Sequence, residues 1–234
     1  LNIRIKFEKS GVMKFIGHLD MVRYFQKAMR RAEIPVAYTN GFSPHQVMSF
    51  ASPLGVGLTS ESEYMDIEIN QNISSTAAIL ALNKTMVEGI RILEFHQLEE
   101  NSKNAMSIVA AADYRIYPKN PSDTCFLATT VQTYFSQLTI PVTRQSKKSV
   151  TTLDLKECVL ELRGETLDGK STLFMKVLSG SISNIKPELV LASYFSFIEQ
   201  EFISSNYQVH RLELYANVDG QYKTLGELGE DIHG

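Results

Sequence analysis

Three polar side chains in the first 45 residues are of the types used in acid–base chemistry. His18 and Asp20 lie two positions apart, and His45 follows in a long loop. A histidine and a carboxylate can act as a general acid–base pair, and both residue types can bind metals. Two histidines and one carboxylate without a fixed ligand spacing do not define a zinc site, so we expect no metal and no cofactor. The alternative interpretation is that these histidines cap a helix or complete the core.

Cationic side chains recur along one face of a helix that the apolar periodicity predicts over residues 19–33. Asp20 and three cations follow one another at spacings of three, four and three, with Arg31 beside them; the cations are Arg23, Lys27 and Arg30. Residues at these spacings share one helix face, where Asp20 can pair with Arg23. The remaining cations suit contacts with phosphate, which Arg can bind in a bidentate manner. The alternative is an ordinary solvated helix face.

The cations are concentrated near the N-terminus. Residues 1–58 hold eight Lys and Arg against three Asp and Glu, a local excess of +5, although the whole chain carries −3. Such asymmetry is typical of a surface that meets an anionic partner, and ordinary surface charge is the alternative.

A loop of about 20 residues, spanning 40–60, follows this helix. Its many apolar side chains need a place to pack, so we expect an ordered loop over the sheet rather than disorder. Its polar side chains extend the candidate anion-binding set with Ser43, His45 and Ser49. The alternative is a lid that only covers the core.

The order of periodic segments predicts an α+β fold. Residues 3–7 alternate like a strand, and the following helix must end before Pro35. A short strand at 36–38, further strands and a second helix follow to about residue 96, which gives the order βαββαβ of a ferredoxin-like unit. In the second half, Leu167-Asp168-Gly169-Lys170 predicts a hairpin turn, and Pro187 predicts the first turn of a helix. We therefore predict two such units in tandem, the second embellished, at 1–98 and 106–234. In the first helix we expect a buried face formed by Leu19, Val22, Phe25 and Met29.

Several classes of protein are excluded by missing features. The chain has no Walker A motif, no G-x-G-x-x-G, no G-x-S-x-G and no H-E-x-x-H. Cys125 and Cys158 cannot form a disulfide framework, and we expect both to be core residues rather than nucleophiles. No apolar run approaches the roughly 20 residues of a membrane span. We therefore expect a soluble, cytoplasmic protein that does not bind membranes.

A series of short motifs resembles one known family. The motifs are Phe15-Ile16-Gly17-His18-Leu19-Asp20, Ala28-Met29-Arg30-Arg31-Ala32, Gly41-Phe42-Ser43-Pro44-His45, Ser49-Phe50-Ala51 and Pro53-Leu54-Gly55-Val56-Gly57. They are similar to those of the bacterial radical-SAM-linked proteins, a domain of unknown function encoded beside, or fused behind, a radical-SAM enzyme. Gln46 departs from the pattern, which has Pro there, and Lys147-Lys148 belongs to a looser match in the second half.

The resemblance implies a partner, a radical-SAM enzyme, and no activity of the chain itself. The chain lacks the C-x-x-x-C-x-x-C cluster of a radical-SAM iron–sulfur centre. Our first hypothesis is therefore a non-catalytic accessory protein that holds RNA or another phosphate-bearing substrate for this enzyme. The alternatives are an enzyme that uses His18, Asp20 and His45, with or without a metal, and a subunit that only docks the partner protein.

Overall fold

A computed structural model describes residues 1–120, 122–145, 150–180 and 183–234. It confirms the α+β class, with helices beside mostly antiparallel strands. The chain divides into two compact units, one of residues 1–110 with 212–234 and the other of residues 111–211. No helix in the described part of the chain is long and apolar enough to cross a membrane.

The first unit is built on an antiparallel sheet. Its elements are β1 (Asn2–Lys9), α1 (His18–Arg31), β2 (Met48–Phe50), β3 (Thr59–Glu68), α2 (Ser75–Asn83), β4 (Ile90–Gln97) and α3 (Ala105–Ile108). The strand order is β4–β1–β3–β2, and Ile5 on β1 lies opposite Met65 on one side and Phe95 on the other. All three side chains are buried, because the period of two in each strand places them on the same face.

α1 covers this buried face with four side chains at helical spacing. Met21, Phe25, Ala28 and Met29 are buried, and the rings of Phe25 and Phe7 lie 4.7 Å apart. Burial of Phe25 and Met29 is thus confirmed, and Val22 is half-buried. The prediction for Leu19 is wrong, because Met21 takes the inward position of the first turn and Leu19 stays 71% exposed.

The second unit contains a smaller antiparallel sheet and a separate two-stranded ribbon. Its elements are β5 (Val109–Pro118), α4 (Ala128–Phe135), β6 (Pro141–Gln145), β7 (Val150–Asp154), α5 (Leu155–Cys158), β8 (Val159–Leu167), β9 (Lys170–Leu178) and α6 (Pro187–Phe197). The sheet runs β5–β9–β8, and β6 pairs with β7. The predicted β8–β9 hairpin is confirmed, with Asp168 and Gly169 both at positive φ in its turn. The Lys147-Lys148 motif lies outside the described residues.

The last segment of the chain packs with the first unit. β10 (Tyr207–Val218) continues into β11 (Gln221–Thr224) and β12 (Glu230–Asp231), and β12 pairs with β4. Ile232 is buried in the core of the first unit, where its backbone exchanges hydrogen bonds with Ser75. The predicted division into two ferredoxin-like domains in tandem, at 1–98 and 106–234, remains a prediction.

Candidate functional site

The exposed face of α1 carries the predicted cations. Arg23, Lys27 and Arg30 are all exposed, since the opposite face of the helix is buried in the core. Asp20 pairs with Arg23 at 3.3 Å, as the spacing predicts, and both side chains are about two-thirds exposed or more. Lys27 and Arg30 have no ion pair or hydrogen bond with any residue that the structure describes. We call Arg23, Lys27 and Arg30 the cationic stripe.

Arg31 differs from Lys27 and Arg30 because its side chain donates a hydrogen bond within the protein. Its Nη2 donates a hydrogen bond to the carbonyl oxygen of Thr85 at 3.4 Å. This contact directs the guanidinium toward the turn after α2, whereas Lys27 and Arg30 make no such contact with the described residues.

α1 begins without a side-chain cap. Gly17 occupies the N-cap position, and no side chain accepts a hydrogen bond from the first turn. The positive end of the helix dipole favours negative charge at this end, and Asp20 is the acidic residue found there. The first turn thus already holds an acid, whereas the cationic stripe extends toward the other end.

His45 holds the first part of the loop together. Its Nδ1 lies 3.1 Å from the hydroxyl of Thr39, and its backbone N–H donates to the same oxygen at 3.1 Å. The Nδ1 atom is also 3.4 Å from the carbonyl of Ser43, which is exposed. These contacts close a turn, with Tyr38 bridged to the buried Gln46 at its base. The structure therefore gives the His45 ring a role in shaping the loop.

His18 contacts a later part of the same loop. Its ring packs edge-on against Phe50, with the two ring centroids 5.4 Å apart. His18, Phe50 and Leu54 all line a small cavity of about 20 Å³. Ser49, next to Phe50 on β2, is half-buried opposite Asp66. His18 and His45 thus contact different residues, Phe50 and Thr39. The acid–base site predicted for the two histidines with Asp20 remains a prediction. Within the described ranges, no group of three or more His, Cys, Asp or Glu side chains is placed to hold a metal ion.

Two buried charges beside His18 were missed by the sequence argument. Lys9 is 3% exposed and donates from Nζ to the carbonyl of Ile16 at 2.8 Å, and Glu63 is 5% exposed. Both line the cavity that His18 also lines. A signal was present, because Lys9 continues the inward alternation of Ile3, Ile5 and Phe7, and Glu63 precedes Met65 by two positions.

A larger cavity of about 750 Å³ in the first unit is acidic. Its lining includes Arg4 and Lys103 and five carboxylates, those of Glu99, Asp219, Glu227, Glu230 and Asp231. Arg4 is 1% exposed, and two nitrogens of its guanidinium bind the two Asp66 carboxylate oxygens at 2.8 and 2.9 Å. The lining therefore repels anions, and phosphate is not suited to this cavity.

Cys125 lacks the features of a nucleophile. Cys125 and Cys158 are free and half-buried. Burial, together with the nearby Asp123, raises the pKa of the Cys125 thiol to about 12. Because only the thiolate is a good nucleophile, Cys125 is unreactive near neutral pH.

The fold and the site define an α+β protein with a cationic helix face and an ordered loop beside it. The chain belongs to the DUF2344 family, described as an uncharacterized protein conserved in bacteria, whose family model matches residues 2–187. Comparison with curated proteins finds no match. Among solved structures, the chain is similar to an unknown protein from Galdieria sulphuraria at 15% identity, over 90% of this chain and 96% of that one, with a TM-score of 0.25.

Proposed function

We propose that the protein is a non-catalytic accessory protein of the bacterial cytoplasm that holds RNA for a radical-SAM enzyme. The observation that supports this proposal is the cationic stripe. Lys27 and Arg30 are exposed without a partner among the described residues, and Arg23 makes one weak surface ion pair. Such cations contribute little to fold stability, and they are available for an anionic ligand.

The extent of the cationic stripe favours a strand of several phosphates over a single phosphate group. Arg23 and Arg30 are seven residues apart, which corresponds to about 10 Å along a helix. Charges spread over that length can contact successive phosphates of one nucleic-acid strand, and each contact releases counterions. Exposed helical side chains of this kind position a backbone and do not read its bases.

The contacts of the two histidines favour this proposal over the alternative of an enzyme that uses His18, Asp20 and His45. The ring of His45 is used in closing its own turn, and that of His18 packs on Phe50. The partner in the proposal, a radical-SAM enzyme, is supported by the resemblance of the motifs around His18 and in the loop.

The proposal is tested by titrating the purified chain into a labelled single-stranded RNA of about 20 nucleotides, with and without the radical-SAM enzyme encoded nearest to it. Arg30→Ala should weaken RNA binding by about 1–3 kcal/mol, the range of a charge-assisted contact. Arg30→Lys should restore only part of this loss, because an ammonium group cannot make the bidentate contact.

The matched control is Arg91→Ala, which removes an exposed arginine from β4. It should leave RNA binding nearly unchanged, and neither alanine variant should lower the melting temperature appreciably. Equal effects of the two variants on RNA binding would show that the cationic stripe is not the binding surface.

A further inference from the structure

Phe42 is fully exposed at the tip of the loop that follows α1. Its relative exposure is 112%, against 63% for Phe15, and residues 40–45 around it are all exposed. A phenylalanine ring offers a large apolar face, which here contributes no burial to the core. Both faces of the Phe42 ring are therefore accessible to a ligand.

The turn that carries Phe42 is ordered by hydrogen bonds. The N–H of Thr39 donates to the carbonyl of His45 at 2.9 Å, in addition to the contacts of the Thr39 hydroxyl with the His45 ring and backbone. Gly41, directly before Phe42, has a φ of 120°, in the region that favours glycine. The Phe42 ring is thus presented by a defined backbone, which lowers the entropy cost of binding.

Hydrogen-bonded backbone connects this turn with the cationic stripe. The N–H of Glu33 donates to the carbonyl of Arg30, the last residue of the cationic stripe, at 3.3 Å. The N–H of Ala37 then donates to the carbonyl of Glu68 on β3 at 2.7 Å. The segment between α1 and the turn is therefore tied to the sheet of the first unit, and Phe42 has a defined place relative to the cationic stripe.

The surroundings of Phe42 in the sequence are polar but uncharged. Residues 34–60 contain no Lys, Arg, Asp or Glu, and Asn40 and Ser43 flank the tip. No carboxylate in this segment repels a phosphate backbone, and amide and hydroxyl groups can exchange hydrogen bonds with the edges of bases. The tip therefore suits a ligand with a flat apolar face and polar edges.

We propose that Phe42 stacks on an unpaired base of the RNA that the cationic stripe holds. This inference rests on the proposed function and adds the class of RNA, a single-stranded segment. The faces of bases inside a duplex are covered by their neighbours, whereas unpaired bases can stack on an aromatic side chain. The cationic stripe contacts the backbone, and Phe42 supplies a base contact that tolerates any sequence, because every base has a π-face.

Other occupants fit the tip less well. Residues that dominate a protein interface are surrounded by contacts that exclude water, whereas Phe42 lies between Gly41 and Ser43 on an exposed turn. An anionic membrane surface attracts Lys and Arg, and residues 34–60 contain neither.

The test measures binding of the purified chain to a labelled single-stranded RNA of about 20 nucleotides at several salt concentrations. Phe42→Ala should weaken binding about fivefold or more, and Phe42→Leu should do the same, because leucine is apolar but has no ring. Neither variant should alter the slope of log affinity against log salt, since stacking releases no counterions. The matched control is Phe15→Ala, before the other end of α1, which should change binding less than about twofold.

A fluorescent variant reports stacking directly. The chain contains no tryptophan, so Phe42→Trp introduces a single indole fluorophore. A base stacked on the indole should quench its emission as RNA is added, whereas Phe15→Trp should keep its emission. Thermal unfolding should show that all these variants fold, because both positions are exposed.

Equal RNA binding by Phe42→Ala and Phe15→Ala, or unquenched emission from Phe42→Trp, would overturn the proposal. So would a dimer, or attachment to phosphatidylserine vesicles, that Phe42→Ala abolishes while RNA binding stays unchanged, since either would identify a different occupant. The salt slope separates the two proposals. If removal of the cationic stripe lowers the slope and Phe42→Ala has no effect, only the stacking proposal fails; if the reverse is found, the cationic stripe is not the RNA-binding surface.

Discussion

Glu213 joins the C-terminal segment to the sheet of the first unit. Its carboxylate accepts hydrogen bonds from the hydroxyls of Tyr64 and Ser62, both at 2.8 Å, and pairs with Lys6 at 2.8 Å. Burial raises the pKa of Tyr64 well above its ordinary value of 10.0, and the charge of Glu213 raises it further. Burial alone would lower the pKa of Lys6, but Glu213 and Glu94 outweigh this effect and raise it.

These shifts predict how stability depends on pH at the alkaline end. Tyr64 and Lys6 hold their protons more tightly in the folded than in the unfolded chain, so their contribution is complete below about pH 10 and is lost above it. The free energy of unfolding should therefore fall above pH 10, by up to about 1.4 kcal/mol per pH unit for each group.

Tyr64→Phe should make this fall shallower, because one titrating group is removed. Urea unfolding at a series of pH values from about 9 to 11 measures the slope. Tyr38→Phe is the control, since Tyr38 is half exposed and should leave the slope unchanged. An unaltered slope for Tyr64→Phe would show that the Glu213 contacts do not set the alkaline stability.

The contrast between Phe25 and Leu19 gives a second prediction. Phe25 is fully buried and contacts Phe7 and Phe50, so Phe25→Ala should cost about 3–5 kcal/mol of folding free energy. Leu19 is mostly exposed, and Leu19→Ala should cost less than about 0.5 kcal/mol. Denaturant unfolding of the two variants measures both costs, and similar values would contradict the orientation of α1.

At the scale of elements, local periodicity predicted most of the segments near their true positions. The hairpin turn at Asp168-Gly169 and the helix that starts at Pro187 are examples, because the turn geometry and the fixed φ of proline are set by neighbouring residues. The predicted strand at 36–38 is reduced to single bridges at Val36 and Tyr38, since the chain there turns back to β2 and β3. The prediction for Leu19 failed because Leu19 and Met21 both lie at apolar helical spacings, three positions before Val22 and four before Phe25 respectively, and periodicity alone does not fix which of the two faces the core.

The C-terminal strand supplies the prediction at this scale. Ile232 is 8% exposed in the core of the first unit, and its N–H donates to the hydroxyl of Ser75 at 2.8 Å. Ile232→Ala should cost about 2–5 kcal/mol, as for other buried Ile to Ala changes.

Ile203→Ala is the matched control, because that isoleucine is 45% exposed and its loss should cost about 1 kcal/mol or less. An unchanged urea midpoint for Ile232→Ala would mean that the end of the chain does not stabilise the first unit.

At the scale of the whole molecule, the parts that sequence could not predict depend on contacts between distant residues. Ser62 and Glu213 are 151 positions apart, and Arg4 and Leu225 are 221 apart. Neither pair leaves a periodic pattern, so the return of residues 212–234 to the first unit had no local signal. The charged face of α1 was accessible to sequence analysis because its spacing is local, whereas the exposure of Val56 beside Phe15 depends on how the loop folds.

The claim that the cationic stripe holds RNA is tested most directly by the salt dependence of RNA binding. For a single strand, each phosphate contact contributes about 0.7 to the slope of log affinity against log salt. The triple variant Arg23→Ala, Lys27→Ala, Arg30→Ala should therefore bind with a slope smaller by about 2. The control Lys84→Ala, Arg91→Ala, Lys170→Ala removes the same charge from exposed positions elsewhere and should retain most of the slope. If both triple variants lose the same slope, or neither loses any, the cationic stripe does not bind RNA.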